Sequence, residues 1–176
     1  SKRLKTIESL AGKLLKAGID RSGFLLGVGG GVVCDITGFL ASVYMRGIRF
    51  GYVSTSLLAQ VDASTGGKNG VNHGETKNVI GTFRQPEFVV CDTTMLRTLP
   101  EDEYFSGLGE LIKTGIIGNS SIIDILENNY QDVLKRDRVI LSQLVAKAVR
   151  YKASVVAKDE KESGPRRVLN FGHTFG

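Results

Sequence analysis

The chain has 176 residues, a formal charge of +5, 41% hydrophobic and 23% charged residues, and no tryptophan. That balance excludes a disordered tail and supplies enough apolar material for a real core; dispersed lysines, with no basic block interleaved with aromatics, argue against a nucleic-acid partner and allow a small anionic ligand. No apolar run reaches the roughly 20 residues of a membrane span, and no secretion-signal pattern opens the chain, so the expected setting is cytoplasmic and away from membranes.

Leu4, Ile7, Leu10, Ala11, Leu14 and Leu15 share one helical face over 4–15, which Gly18 is placed to end. The apolar run "FLLGV" (24–28) reads as a strand entering Gly29, Gly30 and Gly31, and Val32 to Met45 as the helix that follows. Such a turn can bring backbone N–H groups and a helix dipole to a phosphate. Gly27 and Gly29 match two glycines of the dinucleotide fingerprint, but Val32 takes the third position, so by spacing alone a plain tight turn stays equally open. Asp35, one turn into the helix, either favours the positive end of the dipole or accepts a hydrogen bond from a ligand. Next, "IRFGYVST" reads as a strand, "SLLAQVDAS" as a helix and "EFVVCD" (87–92) as a further strand. The alternation predicts a parallel sheet with helices on its faces. Cys34 and Cys91 both sit in "VVCD" and read as reduced core thiols.

Between these elements lies "VDASTGGKNGVNHGETKN" (61–78), with two lysines, a histidine, three asparagines and four glycines. It reads as a compact loop holding Asp62, Lys68, Lys77 and Asn78, either as polar surface or as a binding site. From Pro100 to about residue 158 the pattern is helical, which places a boundary near residue 99 between an α/β part (1–99) and a helical part (100–176). On the helix from about residue 139, Lys152 shares the apolar face of Leu141, Leu144, Val145, Ala148, Val149, Val155 and Val156, so it either snorkels out or reaches a buried anion. Glu110 and Lys113, three apart beside Ser106, Gly107 and Thr114, form either an exposed pair or a site whose small neighbours admit a ligand or metal. His173 follows Arg166 and Asn170 in "RRVLNFGHTFG". Glu110 and His173 suit zinc, but a catalytic zinc site usually has three protein ligands.

Taken together, "GGGVVCDITGF", "YMRGIRF", "STSLLAQVDASTGGKNGVNHGETKNVIGTFRQP", "GLGELIKTG" and "RRVLNFGHTFG" resemble the 3-dehydroquinate synthases, in that family's order and over most of the chain. The resemblance implies a Rossmann-like NAD domain followed by a helical metal- and substrate-binding domain, with the site in the cleft between them. It implies that Gly29, Gly30, Gly31, Asp35, Thr55, Ser56 and Lys77, with Lys68, line the cofactor. Asp62, Lys68, Asn78, Lys113, Lys152, Arg166 and Asn170 would hold a sugar acid phosphate. Arg46 would meet the substrate phosphate from the partner subunit of a homodimer, and Glu110 and His173 would bind zinc, or cobalt in its place. The implied reaction, a step of aromatic amino-acid biosynthesis by the shikimate pathway, is a lyase-type cyclisation. NAD oxidises a carbinol, phosphate leaves, the hydride returns, and ring opening and aldol closure follow.

The chain opens on the helix before "FLLGVGGG" and stops at Gly176, so the family's first strands and its third metal ligand are expected outside it, and the piece as it stands is expected to be inactive. Other sugar phosphate cyclases, such as 2-deoxy-scyllo-inosose synthase, are the second reading. Metal-dependent polyol dehydrogenases such as glycerol dehydrogenase, which release NADH, are a third, and a non-catalytic nucleotide-binding subunit is a fourth.

Overall fold

Residues 2–172 of the chain are described by a computed structural model, and the fold follows the expected α/β-then-helical order. Helix α1 (Leu4–Lys16) packs its apolar face on the sheet side through Ile7, and Gly18 closes it with φ +71, a left-handed setting that glycine takes without steric cost. Strand β1 (Phe24–Gly29) leads through Gly30 into α2 (Gly31–Val43), and the chain returns as β2 (Arg49–Ser54). β1 and β2 pair in parallel, with Gly29 opposite Ser54, and β2 pairs in parallel with β5 (Val89–Cys91) to give the order β1-β2-β5. This crossover puts the glycine turn and the end of β2 side by side at the carboxyl edge of the sheet, where open α/β folds bind ligands.

Two departures from the expected elements matter to the site. The second helix ends at Val43 rather than Met45, because Met45 and Arg46 take φ 50 and 67 and the chain turns sharply before β2. The expected loop 61–78 is largely structured: a π-helical turn (Ala59–Ala63) is followed by an antiparallel hairpin of β3 (Lys68–His73) and β4 (Thr76–Phe83). Its two-residue turn has Gly74 first, at φ +57. β3 does not look β-forming by composition, although β4 carries Val79, Ile80, Thr82 and Phe83. The hairpin is set instead by backbone closeness, since a Cβ on Gly81 would lie 2.4 Å from the Asn69 carbonyl oxygen.

The helical part comprises α3 (Glu101–Ile117), α4 (Ser121–Asn128), α5 (Tyr130–Leu134) and α6 (Arg138–Lys158). Three acids, Glu101, Asp102 and Glu103, begin α3, and the Asp137 carboxylate caps α6 by accepting from the Val139 and Ile140 amides. One buried cluster joins Tyr104, Leu111, Ile122, Leu141, Leu144 and Ala148 to Leu57 and Val61 beside the π turn. A second lies between α1, α2 and the sheet, with Ile7, Phe39, Ile48, Phe50 and Tyr52. Each fully buried side chain of this size contributes about 1.5–3 kcal/mol. Both cysteines are free, and burial pushes the Cys34 thiol up to about 11. Among the described residues, no helix is long and apolar enough to cross a membrane.

Two glycines separate packing from propensity. At Gly38 in α2 a Cβ would lie 2.0 Å from Asn69 Oδ1 and 2.3 Å from the Tyr52 hydroxyl, whereas at Gly12 in α1 nothing lies within 4 Å. Gly38→Ala is expected to destabilise the chain by about 1–3 kcal/mol through overpacking, and Gly12→Ala to stabilise it by about 0.5–1 kcal/mol. Urea unfolding of the two variants checks both signs.

Candidate functional site

The glycine turn and the end of β2 form one wall. The Thr55 amide donates to the Gly29 carbonyl at 3.0 Å, and a Cβ on Gly30 would lie 3.1 Å from the Ser56 hydroxyl. Gly30 caps α2 without any side-chain hydrogen bond among the described residues, so the first N–H groups of the helix remain available to an anion. A nucleotide phosphate fits this donor set. The Ser56 hydroxyl itself accepts from the Ala59 amide at 3.3 Å and so also starts the next helical turn. Asp35 takes neither sequence reading alone, because it is ion-paired with Lys2. Burial raises its carboxyl pKa while Lys2 works against that rise.

Asp35 also lines a cavity of about 530 Å³ with Lys68, Asn69, Gly70, Asn78 and Asn170, so four expected site residues, Asp35, Lys68, Asn78 and Asn170, share one space. Asn78 reaches it through a left-handed backbone, φ 55. Beside the cavity the π turn presents Asp62. Lys152 of α6, only 8% exposed, donates to the Asp62 carboxylate and carbonyl, both at 2.6 Å. The lysine on the apolar face therefore stays buried and reaches an anion, the half-buried Asp62 carboxylate, rather than snorkelling to solvent. Arg166, 2% exposed, donates to the Gly66 carbonyl at 2.7 Å and to the Glu160 carbonyl. Lys68 is paired with Glu162, whose other oxygen accepts from Asn170 at 2.5 Å. Burial, then the charges of Arg166 and Lys152, pushes the Lys68 ammonium below the ordinary lysine range.

A second cavity, about 760 Å³, is lined by Glu110, Lys113, Lys77, Gly109, Phe171 and Gly172. Glu110 and Lys113 are ion-paired there. The small neighbour that opens this space is Gly109, with nothing within 4 Å of a built Cβ; Gly107 instead faces Leu57, whose Cβ would lie 2.6 Å from a Cβ placed there. Lys77 lines this cavity and not the one of Asp35 and Lys68. Glu110 is chemically suited as one metal ligand. His173 lies outside the described residues, although its neighbours Phe171 and Gly172 line the cavity, and no group of three metal-binding side chains occurs among the described residues. Arg46 is not brought to either cavity: it is exposed on the turn at the far end of α2 from Gly31, about 20 Å along the helix.

Residue type did not single out Lys2, Gln60, Asp159 or Glu162. Gln60, fully buried, donates to the Ser54 and Asp92 carbonyls at 3.0 Å each and so ties the ends of β2 and β5 beneath the π turn. Asp159 accepts from the amides of Ser163 (2.9 Å), Gly164 (2.7 Å) and Arg166 (3.1 Å) and shapes the loop that presents Glu162. The available signal was the acid-rich "KDEKESG" (158–164), which places Glu162 four residues ahead of Arg166.

Two family models cover the chain end to end: 3-dehydroquinate synthase N-terminal over residues 1–106 and 3-dehydroquinate synthase C-terminal over residues 107–176. A 3-dehydroquinate synthase from Dictyoglomus thermophilum is 50% identical over 176 residues, covering 100% of this chain and 50% of that protein. The 2-epi-5-epi-valiolone synthase from Streptomyces hygroscopicus subsp. jinggangensis, solved with NAD+ and Zn2+ bound, matches with TM-score 0.93 at 29% identity, over 99% of this chain and 49% of that one. A 2-deoxy-scyllo-inosose synthase complexed with carbaglucose-6-phosphate, NAD+ and Co2+ matches with TM-score 0.87 at 26% identity, over 98% and 47%. The chain spans about half the length of the curated relatives it matches.

Asp159 makes the loop pH-sensitive. Burial works to raise its carboxyl, but the three backbone donors outweigh that and hold it down at about 2. A folded pKa below the unfolded value of about 3.9 contributes stability above that value and loses it as pH falls through the folded one. Amide exchange protection at Ser163, Gly164 and Arg166 is expected to hold down to about pH 4 and to drop between there and about pH 2. Asp159→Ala should lower that protection already at neutral pH; unchanged protection in the variant would refute the anchoring role.

Proposed function

The chain belongs to the 3-dehydroquinate synthase family, and from that premise we propose that the whole protein converts 3-deoxy-D-arabino-heptulosonate 7-phosphate to 3-dehydroquinate and phosphate, with NAD and a divalent metal. The observation that carries the reading is the gathering of Lys68, Lys152, Arg166, Asn170 and Asp62 between the hairpin and α6. A phosphorylated sugar acid needs such compensation for its negative charges and acceptors for its hydroxyls.

In this reading the first turn of α2 with Thr55 and Ser56 receives the pyrophosphate of NAD, with Asp35 beside it, and Lys77 and Lys68 near the reacting end. Glu110 holds the metal together with His173. Bound there, the two groups supply reversible carbinol oxidation and polarisation of the reacting oxygens. Asp62, fixed by Lys152, accepts from substrate hydroxyls. Lys68, Lys113, Arg166, Asn170 and Asn78 orient the carboxylate and the remaining oxygens. A lysine held below its ordinary pKa exchanges a proton more readily, which suits Lys68 to a position beside a reacting oxygen. Arg46 of the partner subunit meets the phosphate in a homodimer, which is consistent with its distance from its own cluster. We place a domain division near residue 99 and the enzyme in the cytoplasm, in aromatic amino-acid biosynthesis. NAD+ with Zn2+ or Co2+ in the two related cyclase structures supports the cofactor assignment.

The test uses the protein extended to the length of its relatives, with NAD and zinc. Phosphate release from 3-deoxy-D-arabino-heptulosonate 7-phosphate without net NADH is expected. Lys68→Ala is expected to lower kcat/KM by about 10²-fold or more. No release from folded, loaded protein overturns the reading; phosphate loss from glucose 6-phosphate would then favour an inosose-type cyclase, and net NADH from glycerol a polyol dehydrogenase.

A further inference from the structure

Glu162 is a charged member of the cation cluster to which the chemistry above gives no task. Its carboxylate bridges Lys68 and Asn170, with the Arg166 Nε 3.9 Å away, and its side chain is 15% exposed. The backbone at Glu162 takes φ 57 to put it there, a left-handed setting that a glutamate adopts against a steric cost. The loop does not need this contact to stay in place. Asp159 holds three of its amides, Gln85 donates to the Glu160 carboxylate at 3.1 Å, and Arg166 is anchored on the Gly66 carbonyl. Lys68 and Asn170, meanwhile, both line the cavity that also holds Asp35 and Asn78. An oxyanion entering that cavity meets donors already engaged by a carboxylate of the chain itself. Two carboxylates on one ammonium repel each other, so the two occupancies compete.

We propose that Glu162 is an internal stand-in ligand: its carboxylate occupies Lys68 and Asn170 until the oxyanion of a small hydroxy acid or a phosphate replaces it and the Glu162 side chain swings aside from a loop that stays anchored. The exchange swaps one oxyanion for another, so little desolvation is added. Lys68, about half exposed at its side chain, is accessible for the swap. The proposal deepens the reading above and rests on the same cluster, but it concerns binding rather than turnover.

The experiment is calorimetric titration of the chain and of Glu162→Gln with three probes: gluconate, inorganic phosphate, and sorbitol as an uncharged relative of gluconate. Removing a competitor that fills the site about nine-tenths of the time tightens apparent affinity about tenfold. That gain is expected in Glu162→Gln for gluconate or phosphate, whichever the cluster takes, and not for sorbitol; Lys68→Ala should remove oxyanion binding in both backgrounds. Equal or weaker oxyanion affinity in Glu162→Gln, no oxyanion binding by either protein, or the same gain for sorbitol overturns the proposal. Phosphate-releasing turnover with no gain in Glu162→Gln would sink the stand-in role alone, and the gain without turnover would sink the synthase reading alone.

Discussion

The contact between Lys152 and Asp62 fixes the geometry of everything around it. An ammonium on the apolar face of α6 is costly to bury alone, and a carboxylate on a turn is free to rotate; each removes the other's difficulty. Because Lys152 takes both the Asp62 carboxylate and the Asp62 carbonyl at 2.6 Å, it holds the backbone of the π turn as well as the side chain. It thereby connects α6 to the sheet edge that carries Thr55 and Ser56, and sets the floor against which Lys68 and Arg166 are placed. Replacing the pair by apolar residues would keep the packing of Leu57 and Val61 on α6 and lose the contact that aims Asp62 at the helix.

The same matching of charges recurs through the site. Lys2 is answered by Asp35, Lys68 by Glu162, Lys113 by Glu110 and Lys152 by Asp62. A cluster of bare ammonium groups in half-buried cavities would repel itself and depress its own pKa values, so the chain supplies carboxylates where a ligand would otherwise be needed. These pairs are not equal. Lys152 and Asp62 are welded by a backbone contact, whereas Lys68 and Glu162 meet through a half-exposed ammonium and a strained loop. The first is built to stay and the second to exchange.

Much of this was legible in the sequence, and the reason is local. Gly18, the 29–31 glycine turn, Pro100 with its three acids, and the apolar stripe of α6 act through neighbours a few residues away, so their effects can be read from spacing. The cations of the site were legible through the family motifs. Glu110 was legible as the partner of Lys113 from their spacing, but the long-range pairings were not: Asp62 and Lys152 are 90 residues apart, and Lys68 meets Glu162 across the whole helical part. Such pairing is set by topology and leaves no periodic trace. The hairpin was missed for a related reason. Its first strand is polar with a single valine, and what holds the pair together is close backbone approach at Gly81 and the support of Asn69, which accepts from Tyr52 and donates to the Gly67 and Arg84 carbonyls.

The π turn shows how an irregularity becomes necessary. The Ser64 amide donates to the Ala59 carbonyl at 3.1 Å, five residues back, and the Ser64 hydroxyl adds a second bond to the same oxygen at 2.7 Å. Such wide turns are uncommon and weaker than an α-helical turn, and they occur mostly at functional positions. Here the widening is held from below by Gln60, bound to the ends of β2 and β5, and from above by Lys152. With both ends of the segment fixed, one by the sheet and one by α6, an ordinary helical turn would rotate Asp62 away from the lysine. The buried charge on α6 would then lack its counter-ion, so the electrostatic cost of Lys152 stabilises the irregular backbone that the ligand site requires.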